Sequence, residues 1–113
     1  MFHPTFQGKR YLTRGIIAAI EPIVQFAIWD YLDQFVKRHP NDVDYLQIFN
    51  ITTEEREGQL TLIVHHEQEV PRIIQKEALL FPTDDFIQEK IYVISDWDEK
   101  GNEYATMLLA SEY

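Results

Sequence analysis

The chain has 113 residues, of which 45% are hydrophobic and 26% are charged, a size and composition typical of one globular domain and not of a disordered segment. It contains no cysteine, which excludes disulfide bonds, thiolate nucleophiles and thiolate zinc sites. Nineteen acidic and ten basic side chains give a net charge of −9, so nucleic acid is not the expected partner.

No targeting or membrane segment is predicted. The first fifteen residues lack the basic-then-apolar order of a signal peptide. The most apolar stretch, Gly15 to Trp29, is interrupted by Glu21 and Pro22 and is too short to span a bilayer. We therefore expect a cytoplasmic protein that does not contact membranes.

The first predicted elements are a strand and a long helix. Lys9–Ile17 is predicted as a short strand, in which Gly15 would mark a bulge. Pro22–Arg38 has the strongest helical pattern in the chain, and Pro40 ends it. The apolar residues of this helix recur at intervals of three and four and form the predicted core stripe: Ile23, Val24, Ala27, Ile28, Tyr31, Leu32 and Phe35.

The rest of the chain is predicted as β-structure. Tyr45–Thr53 and Gln59–Gln68 are rich in β-branched and apolar residues and form a predicted antiparallel hairpin around the turn Glu54–Gly58. Strand alternation places Leu60, Leu62 and Val64 on one face of the second strand. A second hairpin is predicted at the end of the chain: its strands are Glu89–Ser95 and Tyr104–Ala110, and its turn is Asp96–Glu103.

Arg72–Phe81 is the ambiguous segment. It contains good helix formers and follows Pro71, but its apolar residues also fit one face of a strand, and we predict a strand. The expected fold class is then α+β: a single domain, residues 1–113, with an antiparallel sheet of five to six strands and the helix Pro22–Arg38 packed across one face.

The sequence predicts no catalytic, cofactor-binding or metal-binding residue. His65, Glu67 and Glu69 would share one face of a strand, as zinc or manganese ligands would, but residues two apart lie nearly 7 Å from each other, and a solvated polar strand end is the favoured interpretation. Asp96–Gly101 begins like a calcium loop, but Lys100 stands where an oxygen ligand is needed. Neither a GxSxG elbow nor a glycine-rich phosphate loop is present.

Three residues are candidates for an interaction surface. Trp97 lies in a polar turn, where an indole either packs back onto the domain or anchors a partner. Trp29 lies beside the helix stripe and belongs either to the core or to a homodimer seam. Arg14, with its neighbours Lys9 and Arg10, could bind an anion.

Several stretches together resemble a known family. They are RYLTRG at Arg10–Gly15, a helix with an internal tryptophan at Trp29, DYLQIF at Asp44–Phe49, QEVP at Gln68–Pro71 and ATMLLASEY at Ala105–Tyr113. These stretches resemble the small family called domain of unknown function nine-sixty, found mainly in Gram-positive bacteria and their mobile elements. The resemblance implies a compact cytoplasmic α+β protein and a strand at Arg72–Phe81, and it assigns no reaction, cofactor or partner.

Three functions follow as hypotheses. The first is a non-catalytic protein-interaction or regulatory module with a protein partner, motivated by the missing catalytic constellation, the acidic residues 41–113 and the two tryptophans. The second is a small-ligand binder or enzyme that uses Arg14 or the segment His65–Glu69 in a pocket. The third is an acidic mimic of nucleic acid.

Overall fold

The computed structural model describes residues 3–113, which form a mixed α+β fold. No helix in this part of the chain is long and apolar enough to cross a membrane. The elements in chain order are β1 (Lys9–Leu12), α1 (Arg14–Ala19), α2 (Pro22–Arg38), β2 (Leu46–Arg56), β3 (Gln59–Gln68), β4 (Ile73–Pro82), β5 (Glu89–Trp97), β6 (Glu103–Leu109) and a final 3₁₀ turn (Ala110–Glu112).

The six strands form one sheet in the order β1-β6-β5-β2-β3-β4. The predicted strand count is confirmed, but the sheet is not wholly antiparallel, because β1 pairs with β6 in parallel. The ambiguous segment is a strand, as predicted: β4 pairs along β3 from Ile73 opposite Gln68 to Pro82 opposite Thr61. Pairing with a neighbouring strand has thus outweighed the local helix propensity of this segment.

The predicted β2–β3 hairpin is confirmed, but its turn is shorter than expected. Strand β2 continues to Arg56, opposite Gln59, so the turn consists of Glu57 and Gly58 alone. Their φ angles are 52° and 79°, and two successive positive φ values are the geometry of the two-residue turn whose twist matches that of the flanking strands.

The predicted first strand is correct only as far as Leu12. Gly15 and the two isoleucines after it belong to α1, because Thr13 caps a helix at this point: its hydroxyl accepts a hydrogen bond from the Ile16 N–H at 3.3 Å. The carboxylate of Glu112 accepts a second bond, from the Gly15 N–H, at 3.1 Å. This second capping group lies 97 residues away in the chain, and no local sequence pattern predicts it.

The buried face of α2 is rotated about the helix axis relative to the predicted apolar stripe, so that it includes Gln25 and Trp29. Its buried residues are Val24, Gln25, Ile28, Trp29, Leu32 and Phe35. Ile23, predicted in the stripe, is exposed instead. Trp29 is buried in the hydrophobic cluster, and the guanidinium of Arg10, paired with Asp33 at 2.5 Å, lies 4.7 Å from its ring. The buried apolar residues of α2 form one hydrophobic cluster with strand residues such as Phe49 and Val64.

The N-terminal segment contributes a core residue that sequence reasoning missed. Phe6 is fully buried in the cluster, although it precedes the first strand. Glu103 holds this segment in place, since its carboxylate accepts hydrogen bonds from the N–H groups of Thr5 at 2.8 Å and Phe6 at 3.0 Å. Gly8 then turns the chain into β1 with a φ of 89° and its α-carbon close to the carbonyl oxygen of Glu103.

Gly8 and Gly58 form a matched pair for testing this arrangement. Both have a positive φ, but a β-carbon at Gly8 would collide with the Glu103 carbonyl oxygen, whereas one at Gly58 would meet nothing within 4 Å. We expect Gly58→Ala to lower the free energy of unfolding by about 1 kcal/mol and Gly8→Ala by about 3 kcal/mol, as measured by urea denaturation. Equal losses in the two variants would show that the N-terminal segment is not held against β6.

Candidate functional site

Large apolar side chains are exposed at the corner where α1 meets α2. Ile17 on α1, Ile23 and Phe26 on α2, and Phe86 in the β4–β5 loop each expose between 64% and 73% of their surface. Single exposed apolar residues are ordinary, whereas contiguous exposed apolar surface is characteristic of interaction sites and makes this region the candidate site. We call these four residues and the depression between them the apolar corner.

The depression is a narrow cleft with mainly apolar walls. Its volume is about 130 Å³, and it is lined by Ile20, Glu21, Ile23, Val24, Leu62, Phe81, Pro82, Thr83 and Ile87. A shallower depression shares Ile20, Glu21 and Ile87 with it and extends to Ile17 and Asp85, so the corner is continuous. The cleft is smaller than the roughly 300–1,000 Å³ of typical ligand pockets and suits one or two side chains of a partner.

The loop that carries Phe86 is tied to the sheet. The hydroxyl of Thr53 on β2 donates to the Ile87 carbonyl at 2.7 Å and accepts from the Ile87 N–H at 2.9 Å. The Thr83 N–H donates to the Leu60 carbonyl at 3.0 Å. These bonds turn Ile87 into the cleft and leave the neighbouring Phe86 outside, so the exposure of Phe86 follows from how the loop is anchored.

Carboxylates predominate among the charges around the apolar corner, although Arg14 lies about one helical turn before Ile17 on α1. Glu21 and Asp85 line the two depressions, Asp84 precedes Asp85, and Asp30 lies one helical turn after Phe26. From residue 15 to 36 and from residue 77 to 89, every charged side chain is a carboxylate; Arg14 borders the first stretch. We call Glu21, Asp30, Asp84 and Asp85 the acidic rim.

The interaction residues predicted from sequence lie on three different elements, β5, α2 and α1. Trp97 is partly buried in the last position of β5 and not in the turn. Trp29 is buried beneath Arg10, and its ring is part of the core. Arg14 is exposed at the start of α1.

The polar residues of the segment His65–Glu69 are engaged separately. The Glu77 N–H donates to Nδ1 of His65 at 3.0 Å, and the Asn50 side chain donates to Glu67 at 3.4 Å, while Glu69 lies beyond the end of β3. In residues 3–113, no group of three His, Cys, Asp or Glu side chains is placed to hold a metal ion. Arg14 follows strand β1, four strand spacings or roughly 19 Å from β3, so these two predicted sites do not converge.

Comparison with known proteins places the chain in a family. The family model described as "Staphylococcal protein of unknown function (DUF960)" matches residues 9–112. The chain belongs to this family. The expected resemblance is thereby confirmed.

A solved structure shares the fold of this DUF960 protein. It is described as the crystal structure of the protein of unknown function from Enterococcus faecalis, and it is similar with a TM-score of 0.65 and 19% sequence identity over 99% of this chain and 98% of that chain. At that identity the likeness concerns the fold alone. No curated protein matches the sequence.

This DUF960 chain also contains a buried polar network, which Tyr31 of α2 joins through a hydrogen bond to His66. His66 is fully buried, with its ring 4.6 Å from that of Phe35 and 4.8 Å from that of Phe49. Its Nδ1 lies 2.8 Å from the Tyr31 hydroxyl and its Nε2 lies 2.6 Å from Oε1 of Gln47.

The partners of Gln47 determine which nitrogen of His66 carries the proton. Nε2 of Gln47 donates to the Asp44 carbonyl and to Gln68, both at 2.8 Å, so the Gln47 atom facing His66 is an acceptor. His66 therefore carries its proton on Nε2 and accepts from Tyr31 at Nδ1. Burial raises the pKa of Tyr31 to about 12, against a smaller opposing effect of Arg38, which keeps that hydroxyl protonated.

The network has no vacant position for a ligand. Gln68 completes it by donating to the carbonyls of Asp42 at 2.6 Å and Pro71 at 2.9 Å. In the described part of the chain, every buried side-chain nitrogen and oxygen has a hydrogen-bond partner. The network is therefore structural. Strand alternation alone could have indicated it, because His66 and Gln68 share the face of Leu62 and Val64.

The buried imidazole makes the stability depend on pH. Burial, with smaller contributions from the positive charges of Arg38 and His39, lowers the pKa of His66 from 6.5 to about 4. The unfolded chain takes up this proton near pH 6.5 and the folded chain near pH 4, so the contribution of His66 is complete above pH 6.5 and is lost as the pH falls toward 4. We expect a loss of about 2 kcal/mol in the free energy of unfolding between pH 7 and pH 5.

The measurement is urea denaturation at both pH values, with His66→Gln as the control. The variant keeps a donor and an acceptor but cannot titrate, so its loss between pH 7 and pH 5 should be smaller by about 2 kcal/mol. Because the carboxylates are present in both proteins, their contribution to the change in the free energy of unfolding cancels in the comparison. The same loss in both proteins would show that His66 is not responsible.

Proposed function

We propose that this protein is a non-catalytic protein-interaction module, acting as one domain of residues 1–113, and that the apolar corner is its binding surface. The observation that carries the proposal is the narrow apolar cleft that the exposed Ile23 lines, together with the adjoining depression that the exposed Ile17 lines. Phe26 lies about one helical turn after Ile23, and Phe86 lies between Asp85 and Ile87, which line these depressions. Exposed aromatic and aliphatic side chains beside a cleft are the usual anchors of a protein interface.

The structure around the corner supports a preformed surface. We infer that α2 covers one face of the sheet, supported by the contacts of the Tyr31 ring with Phe49 at 5.9 Å and His66 at 5.0 Å. With α2 held in that way and the β4–β5 loop tied through Thr53, both walls of the cleft are supported before a partner arrives. A preformed surface loses less conformational entropy on binding.

A second candidate function is a small-ligand binder. A depression of about 420 Å³ on the sheet is lined by Asn50, His65, His66, Glu67, Ile74 and Lys76. Its volume is within the usual range for ligand pockets, and its lining includes one acidic side chain, Glu67, and one basic side chain, Lys76. It is open to one side, so most of a small ligand would stay in water, and we rank it second. An acidic mimic of nucleic acid, in which carboxylates would follow one face at regular spacing, ranks third.

The test is an affinity pull-down from host lysate with three tagged proteins: wild type, Ile23→Ser/Phe86→Ser and Val70→Ser/Tyr113→Ser. The last is a matched control, because it also replaces one aliphatic and one aromatic residue, and Val70 and Tyr113 are 72% and 75% exposed outside the corner. We expect a nuclease-resistant partner that the wild type and the control both capture, and a loss of about tenfold or more with the corner variant.

Two further results would bear on the proposal. Equal capture by all three proteins would show that the corner is not the binding surface. Trp97→Ala and Arg14→Ala belong in the same assay, because both residues remain secondary interaction candidates. Loss of the partner with Trp97→Ala alone would move the surface to the end of β5.

A further inference from the structure

We propose that the occupant of the apolar corner is a basic amphipathic helix of a partner protein, with apolar side chains in the cleft and lysine or arginine against the acidic rim. This inference rests on the proposed function and adds the chemistry of the partner. It is carried by two properties of the same surface: the apolar cleft between α2 and the β4–β5 loop, and the carboxylates around it.

The cleft in the apolar corner has room only for partner side chains of limited size. The cleft of about 130 Å³ is open at a corner where Ile23 and Phe26 occupy successive turns of α2. One or two aliphatic or aromatic side chains would fill it, while Ile17 and Phe86 would flank them. A helix presents apolar residues at this density, three or four positions apart on one face.

The backbone around the cleft favours a helix over an extended strand. One wall is the first turn of α2, where the N–H groups of Val24 and Gln25 already donate to the Glu21 carbonyl at 3.0 and 3.1 Å. In the opposite wall, Pro82 has no N–H, and Thr83 and Ile87 already make backbone hydrogen bonds to Leu60 and Thr53. An extended peptide laid in the cleft would gain few main-chain bonds, whereas a helix satisfies its own backbone.

The charges select a basic partner. Glu21 lines both depressions and Asp85 lines one of them. Asp84 precedes Asp85, and Asp30 lies one helical turn after Phe26. The described ion pairs instead engage Asp33 with Arg10 and Glu77 with Arg56. Complementary charge at the rim of an interface accelerates association and rejects like-charged partners.

The same rim disfavours the other possible occupants. In a symmetric dimer through this surface, the rim of one copy would face the identical rim of the other, so carboxylates would oppose carboxylates. A membrane surface that carries anionic lipids would repel the rim in the same way.

The test uses synthetic peptides, since the natural partner is unidentified. The probe is a fluorescein-labelled helical peptide of about 18 residues with leucine on one face and lysine on the other. One control peptide carries glutamate in place of every lysine, and the other has the composition of the probe in an order that destroys the apolar face. Binding is measured by fluorescence anisotropy.

We expect the probe to bind at least about tenfold more tightly than either control peptide. Ile23→Ser/Phe86→Ser should weaken binding of the probe by about tenfold or more. Asp84→Asn/Asp85→Asn should weaken it by about threefold to tenfold and reduce its dependence on salt between roughly 0.05 and 0.3 M.

A matched variant separates the rim from the overall negative charge. Glu69→Gln/Glu99→Gln also removes two exposed carboxylates, from the β3–β4 connection and the β5–β6 turn, and should bind the probe as the wild type does. Equal weakening by both charge variants would overturn the proposal, because a diffuse field would then explain the binding. Equal binding of the lysine and glutamate peptides, or of the scrambled peptide, would overturn it as well.

The failure of this inference and that of the proposed function are distinguishable. If the lysate partner depends on the corner but the probe binds no better than its controls, the partner is not a basic amphipathic helix and the interaction surface stands. If the lysate partner is captured equally by the corner variant, the proposed function fails whatever the peptides show. A wild-type dimer in analytical ultracentrifugation that Ile23→Ser/Phe86→Ser dissociates would identify a second copy as the occupant and overturn the inference.

Discussion

The register between β2 and β3 is the constraint on which the rest of this structure depends. Phe49 lies opposite His66 and Ile51 opposite Val64 on the face that carries the hydrophobic cluster. A shift of one residue would turn every side chain of a strand to the other face. His66 and Gln68 would then lose the partners that satisfy them, and burying unpaired polar groups is costly. The polar network thus specifies a register that apolar contacts alone would specify less sharply.

The carboxylates of Glu103 and Glu112, near the C-terminal end of the chain, accept hydrogen bonds from residues near its beginning. Glu103, at the start of β6, accepts hydrogen bonds from the segment around Thr5 and Phe6, and Ser95 donates to it at 2.5 Å. Glu112 accepts bonds from the Thr13 hydroxyl at 2.6 Å and from the Gly15 N–H. These bonds hold Phe6 in the core and help to begin α1, so the path into α2 depends on residues about one hundred positions later.

The apolar corner follows from these arrangements. The rotation of α2 that buries Gln25 and Trp29 turns Ile23 and Phe26 outward, and the two bonds of Thr53 to Ile87 leave Phe86 exposed. An exposed apolar surface carries an aggregation risk unless a partner covers it. Repulsion between the acidic rims of two copies opposes that aggregation, so the carboxylates around the corner favour solubility.

The sequence by itself determined the elements whose patterns are local. The periodicity of Pro22–Arg38, the alternation in Gln59–Gln68 and the turn residues between paired strands depend on neighbours within a few positions, and α2, β3 and both hairpins lie where these patterns predict them. Strand alternation also indicated that His66 lies on the same face of β3 as Leu62 and Val64. The family resemblance likewise needed only the residues in order, from Arg10 to Tyr113.

The tertiary structure decided what depends on groups distant in sequence. Glu112 adds a second cap to the start of α1, and Arg10, paired with Asp33, lies over the ring of the buried Trp29. The corner combines α1, α2 and a loop more than fifty residues further along the chain, and no periodicity links Phe86 to Ile23. Local patterns report which face of an element is apolar, but only the packed chain shows which apolar residues remain uncovered.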